Sequence, residues 1–231
     1  MLPLLTVKDS PPNRTRAREL AARFIRDGDA TGWFEALYRE AETEPEGTQV
    51  PWADLVPNPH LLNFWRAQPQ NAAGKEALII GCGYGDDAEQ FARWGFQTTA
   101  FDISETAIRG TRKRFPDSKV AYVASDVLAP PPEWRRKFDL VFESYTLQVL
   151  PPDLRVVAIL KIAELVGVSG VLLVIARGRE VTEGEGQMPW PLTRNELSAF
   201  KRAGLDEISF EDFLDAETPP VRRFRALYKR G

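Results

Sequence analysis

The sequence predicts an α/β fold built around a mainly parallel β-sheet. From residue 75 onward, short apolar runs alternate with amphipathic helical stretches, which is the pattern of βαβ units. A glycine-rich segment at residues 81–85 follows the first apolar run and precedes the first of these helices. Near the C-terminus, two strand-like runs are joined without a long helix, so we expect them to pair antiparallel.

Residue periodicity places the individual elements along the chain. Strands are predicted over residues 77–80, 96–101, 120–124, 138–142, 171–176, 207–210 and 221–228. Helices are predicted over residues 14–41 with an interruption at 27–29, and over 61–67, 86–94, 104–114, 154–165 and 195–202. Ser104 is a favourable N-cap, and Thr193 with Glu196 forms a capping box before the last helix.

Length and composition favour one globular domain. The chain has 231 residues, of which 43% are hydrophobic, and this is enough for a single α/β domain with a full core. We expect residues 1–70 to form an N-terminal helical lid and residues 71–231 to form the α/β core. Proline content predicts a loose arm over residues 1–13 and a loop over residues 42–59.

Charge, cysteine and histidine content exclude several classes of protein. A net charge of −3 offers no general attraction for nucleic acid or anionic membranes. The single cysteine, Cys82, excludes an internal disulfide, and together with the single histidine, His60, it argues against a metal site. No apolar run approaches membrane-spanning length, and the N-terminus lacks the pattern of a secretory signal. We therefore expect a cytoplasmic monomer or weak homodimer that acts on a small molecule.

Small or acidic residues follow three successive predicted strands. The glycines of the 81–85 loop allow a tight turn and close approach of a ligand to the backbone. Asp102 ends the second strand, where a carboxylate accepts ribose hydroxyls, and Asp126 follows the third, where a carboxylate accepts the adenine amino group. Because open α/β sheets bind ligands at the carboxyl ends of their strands, these features predict a nucleoside site. The alternatives are that Asp102 caps the following helix and that Asp126 forms a turn.

The residues after the glycine loop distinguish between nucleotides. Asp86 stands where the third glycine of a dinucleotide fingerprint belongs, and Asp87 follows it. Two carboxylates at a helix N-terminus repel a pyrophosphate, whereas they suit a cationic sulfonium or ammonium group. S-Adenosylmethionine carries both cations and no phosphate, so this argument favours a methyl donor over NAD.

The motifs resemble a known family. Residues 77–87, with Gly-Cys-Gly followed by Asp, and residues 101–107, with Asp-x-Ser-x-x-Ala, are similar to the thiopurine methyltransferase and halide/thiol methyltransferase group of class I S-adenosylmethionine-dependent methyltransferases. Upstream aromatic and proline residues and residues 138–143 extend the resemblance over about residues 30–200. The sequence departs from the wider class at Ile79, where many methyltransferases have an acidic residue, and its tail matches no motif of the group.

The resemblance implies a fold, a cofactor and a donor site. The fold is a Rossmann-like, seven-stranded sheet with five parallel strands and a C-terminal antiparallel hairpin, flanked by helices. The cofactor is S-adenosylmethionine, the product is S-adenosylhomocysteine, and no metal is expected. Trp33 and Trp52 would close over the sulfonium as a lid through cation–π contacts, the alternative being ordinary packing. The implied donor site consists of Trp33, Trp52, Gly81, Cys82, Gly83, Asp87, Asp102, Ile103, Asp126, Val127 and Glu143.

The acceptor is expected beyond the fourth strand. Glu143 would hold the donor's amino group or act as a base, and Tyr145 would orient or deprotonate the acceptor, so both are candidate catalytic residues. Arg177 and Trp190 are candidate substrate contacts. Arginines at strand ends, including Arg179, Arg222, Arg223 and Arg225, would bind an anionic acceptor or form a solvated face.

These observations predict methyl transfer to a small molecule, with a thiol or another soft nucleophile favoured because the chain offers few strong bases. The absence of an Asp/Asn-Pro-Pro-Tyr motif after the fourth strand argues against a nucleic-acid base as acceptor. O- or N-methylation of a small metabolite is an alternative. An NAD-dependent oxidoreductase and a non-catalytic nucleotide-binding protein are alternatives from different classes.

Overall fold

A computed structural model describes residues 14–44, 49–68 and 71–231 of the chain. The predicted arm at residues 1–13 lies outside the described residues, as do residues 45–48 of the predicted loop. The chain divides into two compact units, Met1–Asp54 and Leu55–Gly231. The division lies N-terminal to the lid boundary expected near residue 70, so the short helix predicted over residues 61–67 belongs to the second unit.

The first unit contains two helices, α1 (Thr15–Arg26) and α2 (Gly32–Thr43). The predicted interruption between them is confirmed, since Gly28 has a left-handed backbone with φ of 87°. An Arg16–Glu40 ion pair links the two helices through the guanidinium Nε and Nη2 atoms. The single-domain interpretation of the whole chain stays a prediction.

The second unit contains one seven-stranded mixed sheet. Its strands are β1 (Glu76–Ile80), β2 (Gln97–Asp102), β3 (Ala121–Ala124), β4 (Phe138–Ser144), β5 (Val166–Arg177), β6 (Asp206–Leu214) and β7 (Arg222–Lys229). The strand order is β3-β2-β1-β4-β5-β7-β6. Strands β1 to β5 are parallel, and β7 is antiparallel to both β5 and β6. The predicted fold class, including the C-terminal antiparallel hairpin, is confirmed.

Helices cover both faces of this sheet. They are α3 (Pro59–Ala67), α4 (Asp86–Arg93), α5 (Glu105–Arg114), α6 (Pro152–Leu165), α7 (Arg194–Leu197) and α8 (Ala199–Arg202). Two hydrophobic clusters divide the alternate side chains of β1, with Leu78 and Ile80 in one and Ala77 and Ile79 in the other. A strand buried on both faces is a continuous apolar run, which explains why β1 was identifiable from sequence.

Several boundaries differ from the predictions. Strand β5 begins at Val166 rather than 171, because the glycine-containing residues 167–170, which have a turn-like sequence, continue the strand. A Cβ on Gly170 would lie 2.7 Å from the carbonyl oxygen of Phe138, so the close approach of β4 requires glycine there. The predicted helix over 195–202 is split into α7 and α8 at Ser198, whereas its capping box is confirmed. Among the described residues, no helix has the length and apolar character needed to cross a bilayer.

Candidate functional site

The β1–α4 loop is built from glycines in left-handed conformations. Gly81, Gly83 and Gly85 have φ values of 60°, 52° and 86°. A Cβ on Gly81 would lie 2.3 Å from Thr146 Oγ1, so this position also has no space for a side chain. Backbone strain and close packing with Thr146 together require glycine at position 81.

Asp102 at the end of β2 ties this loop to the next strand. The carboxylate is 6% exposed, its Oδ2 accepts a hydrogen bond from Gly83 N at 2.9 Å, and its Oδ1 accepts one from Ser104 N at 2.9 Å. Ser104 Oγ caps α5 by accepting from Ala107 N at 3.0 Å. These contacts hold the carboxylate at the carboxyl end of β2, and its contact with ribose hydroxyls stays a prediction.

The segment after β3 continues the same edge of the sheet. Asp126 is half-buried, and its Oδ1 accepts from Leu128 N at 2.8 Å in the turn that the sequence offered as an alternative role. Val127 is buried beside it, and Ile103, which follows Asp102, is half-buried. These contacts give Asp126 a turn-forming role and do not test its predicted contact with adenine.

The two carboxylates at the start of α4 have different environments. Asp86 forms two hydrogen bonds of 2.7 Å with the Arg114 guanidinium, which compensates its charge. The Arg114 guanidinium therefore weakens the repulsion that we attributed to Asp86, although the charge of Asp86 still acts on Asp87. Asp87 accepts from Asn58 N at 2.7 Å, and burial raises its pKa to about 7.

Cys82 lies in the same loop and is half-buried. Its backbone N–H donates to the carbonyl of Phe101 at 2.9 Å. Burial, with the nearby carboxylate of Asp102, raises the pKa of the thiol well above its ordinary value. A thiol in this state is a small packing residue rather than a nucleophile.

Glu143 is a fully buried carboxyl group at the end of β4. Its Oε1 accepts hydrogen bonds from Thr146 N at 2.8 Å and Leu147 N at 2.9 Å. Its Oε2 is buried and has no hydrogen-bond partner among the described residues. Burial raises the pKa of Glu143 to about 7. A buried carboxyl with one unsatisfied oxygen is an energetic cost that a hydrogen-bond donor or a cation would remove.

Tyr145 adopts a strained backbone directly after β4. Its φ is 66°, and its N–H donates to the carbonyl of Ile175 on β5 at 3.1 Å. Positive φ is rare for a bulky residue, and such strain is typical of functional sites. Burial raises the pKa of the phenol. The neighbouring Ser144 Oγ accepts from the side-chain amide of Asn58 at 2.8 Å.

A buried glutamine brings the two predicted substrate contacts together. Gln148 is 4% exposed, its Oε1 accepts from Arg177 N at 2.9 Å, and its carbonyl accepts from Trp190 N at 2.7 Å. The side chains of Arg177 and Trp190 are half-buried. Gln148 was not identified from the sequence, since its partners are 29 and 42 residues away along the chain.

The two predicted lid tryptophans belong to the first unit. Trp33 is fully buried, and its indole N–H donates to the carbonyl of Ala30 at 3.2 Å. Trp52 is 36% exposed, donates to Tyr38 Oη at 2.9 Å, and meets Trp33 edge to face at 5.9 Å between ring centroids. These contacts are consistent with ordinary packing of both tryptophans within the first unit. The role of either residue in a lid stays a prediction.

The arginines of β7 are paired with carboxylates. Arg222 pairs with Asp212, Arg223 with Asp215, and Arg225 with Glu211. Arg179 lies 3.5 Å from Glu185 and also donates to the carbonyl of Pro191. Acidic residues of the hairpin therefore pair the three β7 arginines, and the Arg223 side chain is buried rather than part of a solvated face. Capture of an anionic acceptor by these side chains stays a prediction.

Asn58 connects the start of α4 to the end of β4 through Asp87 and Ser144, and it was also missed from sequence. It N-caps α3 through a bond of 2.9 Å from His60 N, which an Asn-Pro pair at a helix start predicts. Its contacts with Asp87 and Ser144, 29 and 86 residues away, have no local signal in the sequence.

Among the described residues, no group of three or more His, Cys, Asp or Glu side chains has an arrangement that could hold a metal ion.

Comparisons with known proteins relate the chain to methyltransferases. A family model described as a methyltransferase domain matches residues 77–170, which contain the glycine loop, Asp102, Asp126 and Glu143. The chain is 24% identical over 201 residues to a probable thiol methyltransferase 2 of Arabidopsis thaliana, covering 85% of this chain and 83% of that protein. It is 30% identical over 102 residues to a ubiquinone biosynthesis O-methyltransferase of Vibrio cholerae, covering 43% and 42% of the two chains.

The fold is also similar to that of a solved structure, the N-methyltransferase NodS of Bradyrhizobium japonicum WM9 in complex with S-adenosylhomocysteine. The TM-score is 0.65 at 19% sequence identity, covering 84% of this chain and 98% of that chain. At this level of identity the similarity is one of fold.

Proposed function

We propose that this chain, a class I S-adenosylmethionine-dependent methyltransferase, transfers the methyl group to a small-molecule acceptor, with a thiol or another soft nucleophile favoured. The proposal assigns the donor to the carboxyl ends of β1 to β4. The glycine loop, with Gly81, Cys82 and Gly83, would face the donor through its backbone. Asp102 and Ile103 would contact the ribose, and Asp126 and Val127 the adenine.

The observation that carries the donor assignment is the pair of buried carboxyl groups, Asp87 and Glu143. Both have a pKa raised to about 7 by burial, and Glu143 Oε2 lacks a partner among the described residues. Carboxyl groups in this state gain most from a cationic ligand, because its charge offsets their desolvation. The ammonium and sulfonium groups of S-adenosylmethionine supply such charge, whereas a pyrophosphate does not.

The acceptor class is inferred from how much activation by a base each kind of nucleophile needs. Methyl transfer from a sulfonium is a displacement that benefits mainly from positioning and from exclusion of water. A thiol is partly ionised at neutral pH and is intrinsically nucleophilic, so it needs little help from a base. The similarity to a probable thiol methyltransferase over most of the chain supports this acceptor class. Tyr145, Arg177 and Trp190 would contact the acceptor.

O- or N-methylation of a small metabolite is the second candidate. The similarity to an O-methyltransferase over 102 residues favours it, and a phenol acceptor would require a base. Glu143 is the candidate for that base, because a pKa near 7 is well matched to proton transfer at neutral pH.

Calorimetric titration with S-adenosylmethionine, S-adenosylhomocysteine and NAD tests the donor assignment. We expect micromolar binding of the first two ligands and none of NAD. Asp102→Ala should abolish binding, while Asp139→Ala should not, since Asp139 is an exposed carboxylate on β4 that accepts from Glu76 N. Binding of NAD alone would refute a methyl donor. Turnover with a panel of thiols, phenols and amines then identifies the acceptor class.

A further inference from the structure

The C-terminal hairpin places an arginine beside the proposed acceptor site. In the antiparallel register of β5 and β7, Arg223 lies opposite Arg177, and Arg225 lies opposite Ile175. The carbonyl of Ile175 accepts the backbone N–H of Tyr145 at 3.1 Å. The start of β7 therefore adjoins the segment after β4, although the two are nearly 80 residues apart in sequence.

The Arg223 side chain is fixed by a chain of contacts within the hairpin. Its Nε donates to Asp215 Oδ2 at 2.6 Å, and the two side chains are only 4% and 3% exposed. Asp215 Oδ1 also accepts from Glu217 N at 3.0 Å and Val221 N at 2.8 Å. Arg223 Nη2 pairs with Glu217 as well. The backbone of the turn thus sets the position of the carboxylate, and the carboxylate sets the position of the guanidinium.

The guanidinium lies over the ring of Tyr145, with 5.2 Å between Arg223 Cζ and the ring centroid. A cation in this position is attracted to the aromatic face and restricts the orientation of the ring. Tyr145 has a left-handed backbone with φ of 66°, which persists only where surrounding contacts determine it. The backbone bond to Ile175 supplies one such contact, and Arg223 supplies another at the side chain.

We propose that Arg223, held by Asp215, is a positioning residue for Tyr145, and that the C-terminal hairpin thereby sets the orientation of the phenol toward the methyl acceptor. The inference rests on the proposed function for the identity of the acceptor site. It assigns Arg223 no contact with the donor. A buried ion pair that only stabilises the hairpin is the competing explanation.

The groups around this pair define its electrostatic setting. His60 Nε2 lies 3.9 Å from Asp215 Oδ2, and Arg225 donates to the carbonyl of His60 at 2.9 Å. Although burial raises the pKa of Tyr145, the charge of Arg223 acts in the opposite direction. Loss of that charge should therefore raise the pKa of the phenol further, which tests whether Arg223 lies beside the phenol in solution.

A double-mutant cycle on the full-length protein tests the inference. We expect R223Q to lower kcat/KM for the acceptor about tenfold while the Kd for S-adenosylmethionine changes less than twofold. In the Y145F background, R223Q should change kcat/KM by less than twofold, because the hydroxyl whose orientation Arg223 sets is gone while the ring remains. R223K should recover part of the loss. R194Q removes the ion pair between Arg194 of α7 and Glu207 of β6, and it should leave kcat/KM unchanged.

Equal effects of R223Q in both backgrounds would overturn the proposal, as would a matching loss of donor affinity. R223Q leaves the charge of Asp215 buried and unpaired, which could prevent folding. In that case the double variant D215N/R223Q, which removes both charges, takes the place of R223Q in the cycle.

An ultraviolet difference titration against Y145F gives a readout that needs no turnover, with the Tyr145 transition raised by about one pH unit in R223Q. An unmoved transition would also overturn the proposal. Failure of the wild type to bind S-adenosylmethionine would instead refute the proposed function.

Discussion

Asp86 and Asp87 show how adjacent residues of one type acquire different properties. Asp86 is paired with Arg114 through two hydrogen bonds, so its charge is already compensated. Asp87 is buried and accepts one backbone hydrogen bond from Asn58, and its pKa is raised to about 7. Only the second carboxylate is in a state that a cationic ligand would improve.

We predict that Asp87→Asn weakens binding of S-adenosylmethionine by about tenfold or more, since a charge-assisted contact contributes roughly 1.5–3 kcal/mol. Asp86→Asn should weaken it less than threefold, because Arg114 and not the ligand loses a partner. Isothermal titration calorimetry of the two variants at pH 7.5 makes the comparison. Equal losses would contradict the assignment of the donor cation to Asp87.

Donor affinity should also depend on pH. With pKa values near 7, Asp87 and Glu143 are partly protonated in the free protein, and a cationic ligand favours their ionised forms. We therefore expect affinity for S-adenosylmethionine to rise between pH 6 and pH 8, with protons released on binding. The double variant D87N/E143Q should bind weakly with little pH dependence. Calorimetry in buffers of different ionisation enthalpy counts the protons.

At the scale of an element, the β1–α4 loop depends on glycine for two separable reasons. Gly85 combines a φ of 86° with close neighbours, since a Cβ there would lie 2.6 Å from Thr111 Cγ2 and 2.7 Å from Tyr122 Oη. Gly74, before β1, has a φ of 74° and no atom within 4 Å of such a Cβ. The second glycine therefore serves as a matched control for backbone strain alone.

We predict that Gly74→Ala costs about 1–2 kcal/mol of unfolding free energy, the penalty of a left-handed backbone. Gly85→Ala should cost roughly 1–3 kcal/mol more, because Thr111 and Tyr122 must also move. Urea unfolding followed by circular dichroism measures both values. Similar losses in the two variants would show that packing around the loop is looser than these distances indicate.

At the scale of the whole molecule, burial of a carboxyl group links folding to pH. The pKa of Glu143 is raised by burial from 4.5 to about 7, so between these values the folded state binds more protons than the unfolded state. Stability contributed by this group is present at low pH and is lost as pH rises through 7. The loss is on the order of 3 kcal/mol for this difference in pKa.

We predict that Glu143→Gln flattens the decline in stability between pH 5 and pH 8. His60 acts in the opposite sense, because burial lowers its pKa and its neutral form favours folding as pH rises toward 6.5. The comparison of Glu143→Gln with wild type isolates Glu143, since His60 is present in both. Thermal unfolding across the range measures the difference, and parallel curves for the two proteins would contradict the role of Glu143.

Local patterns were sufficient to predict the architecture, and they also supplied the residues of the proposed donor site. Strand β1 is a buried apolar run, the glycine loop follows it directly, and Asp102 and Glu143 stand at strand ends, so each can be recognised from its immediate neighbours. The antiparallel pairing of β6 and β7 followed from their short connection. The length of β5 was underestimated because Gly167 and Gly170 have the composition of a turn, whereas the approach of β4 requires them.

The partner of each polar group was determined only by the tertiary structure. Asp86 meets Arg114, Asp87 meets Asn58, and Arg223 lies over Tyr145, pairs that are 28, 29 and 78 residues apart. Charge and hydrogen-bonding capacity can be listed from residue types, but their effects depend on distance and burial, which arise when sheet and hairpin assemble. For this reason the sequence predicts a methyl donor site, while the environment of Tyr145 is set by the C-terminal hairpin.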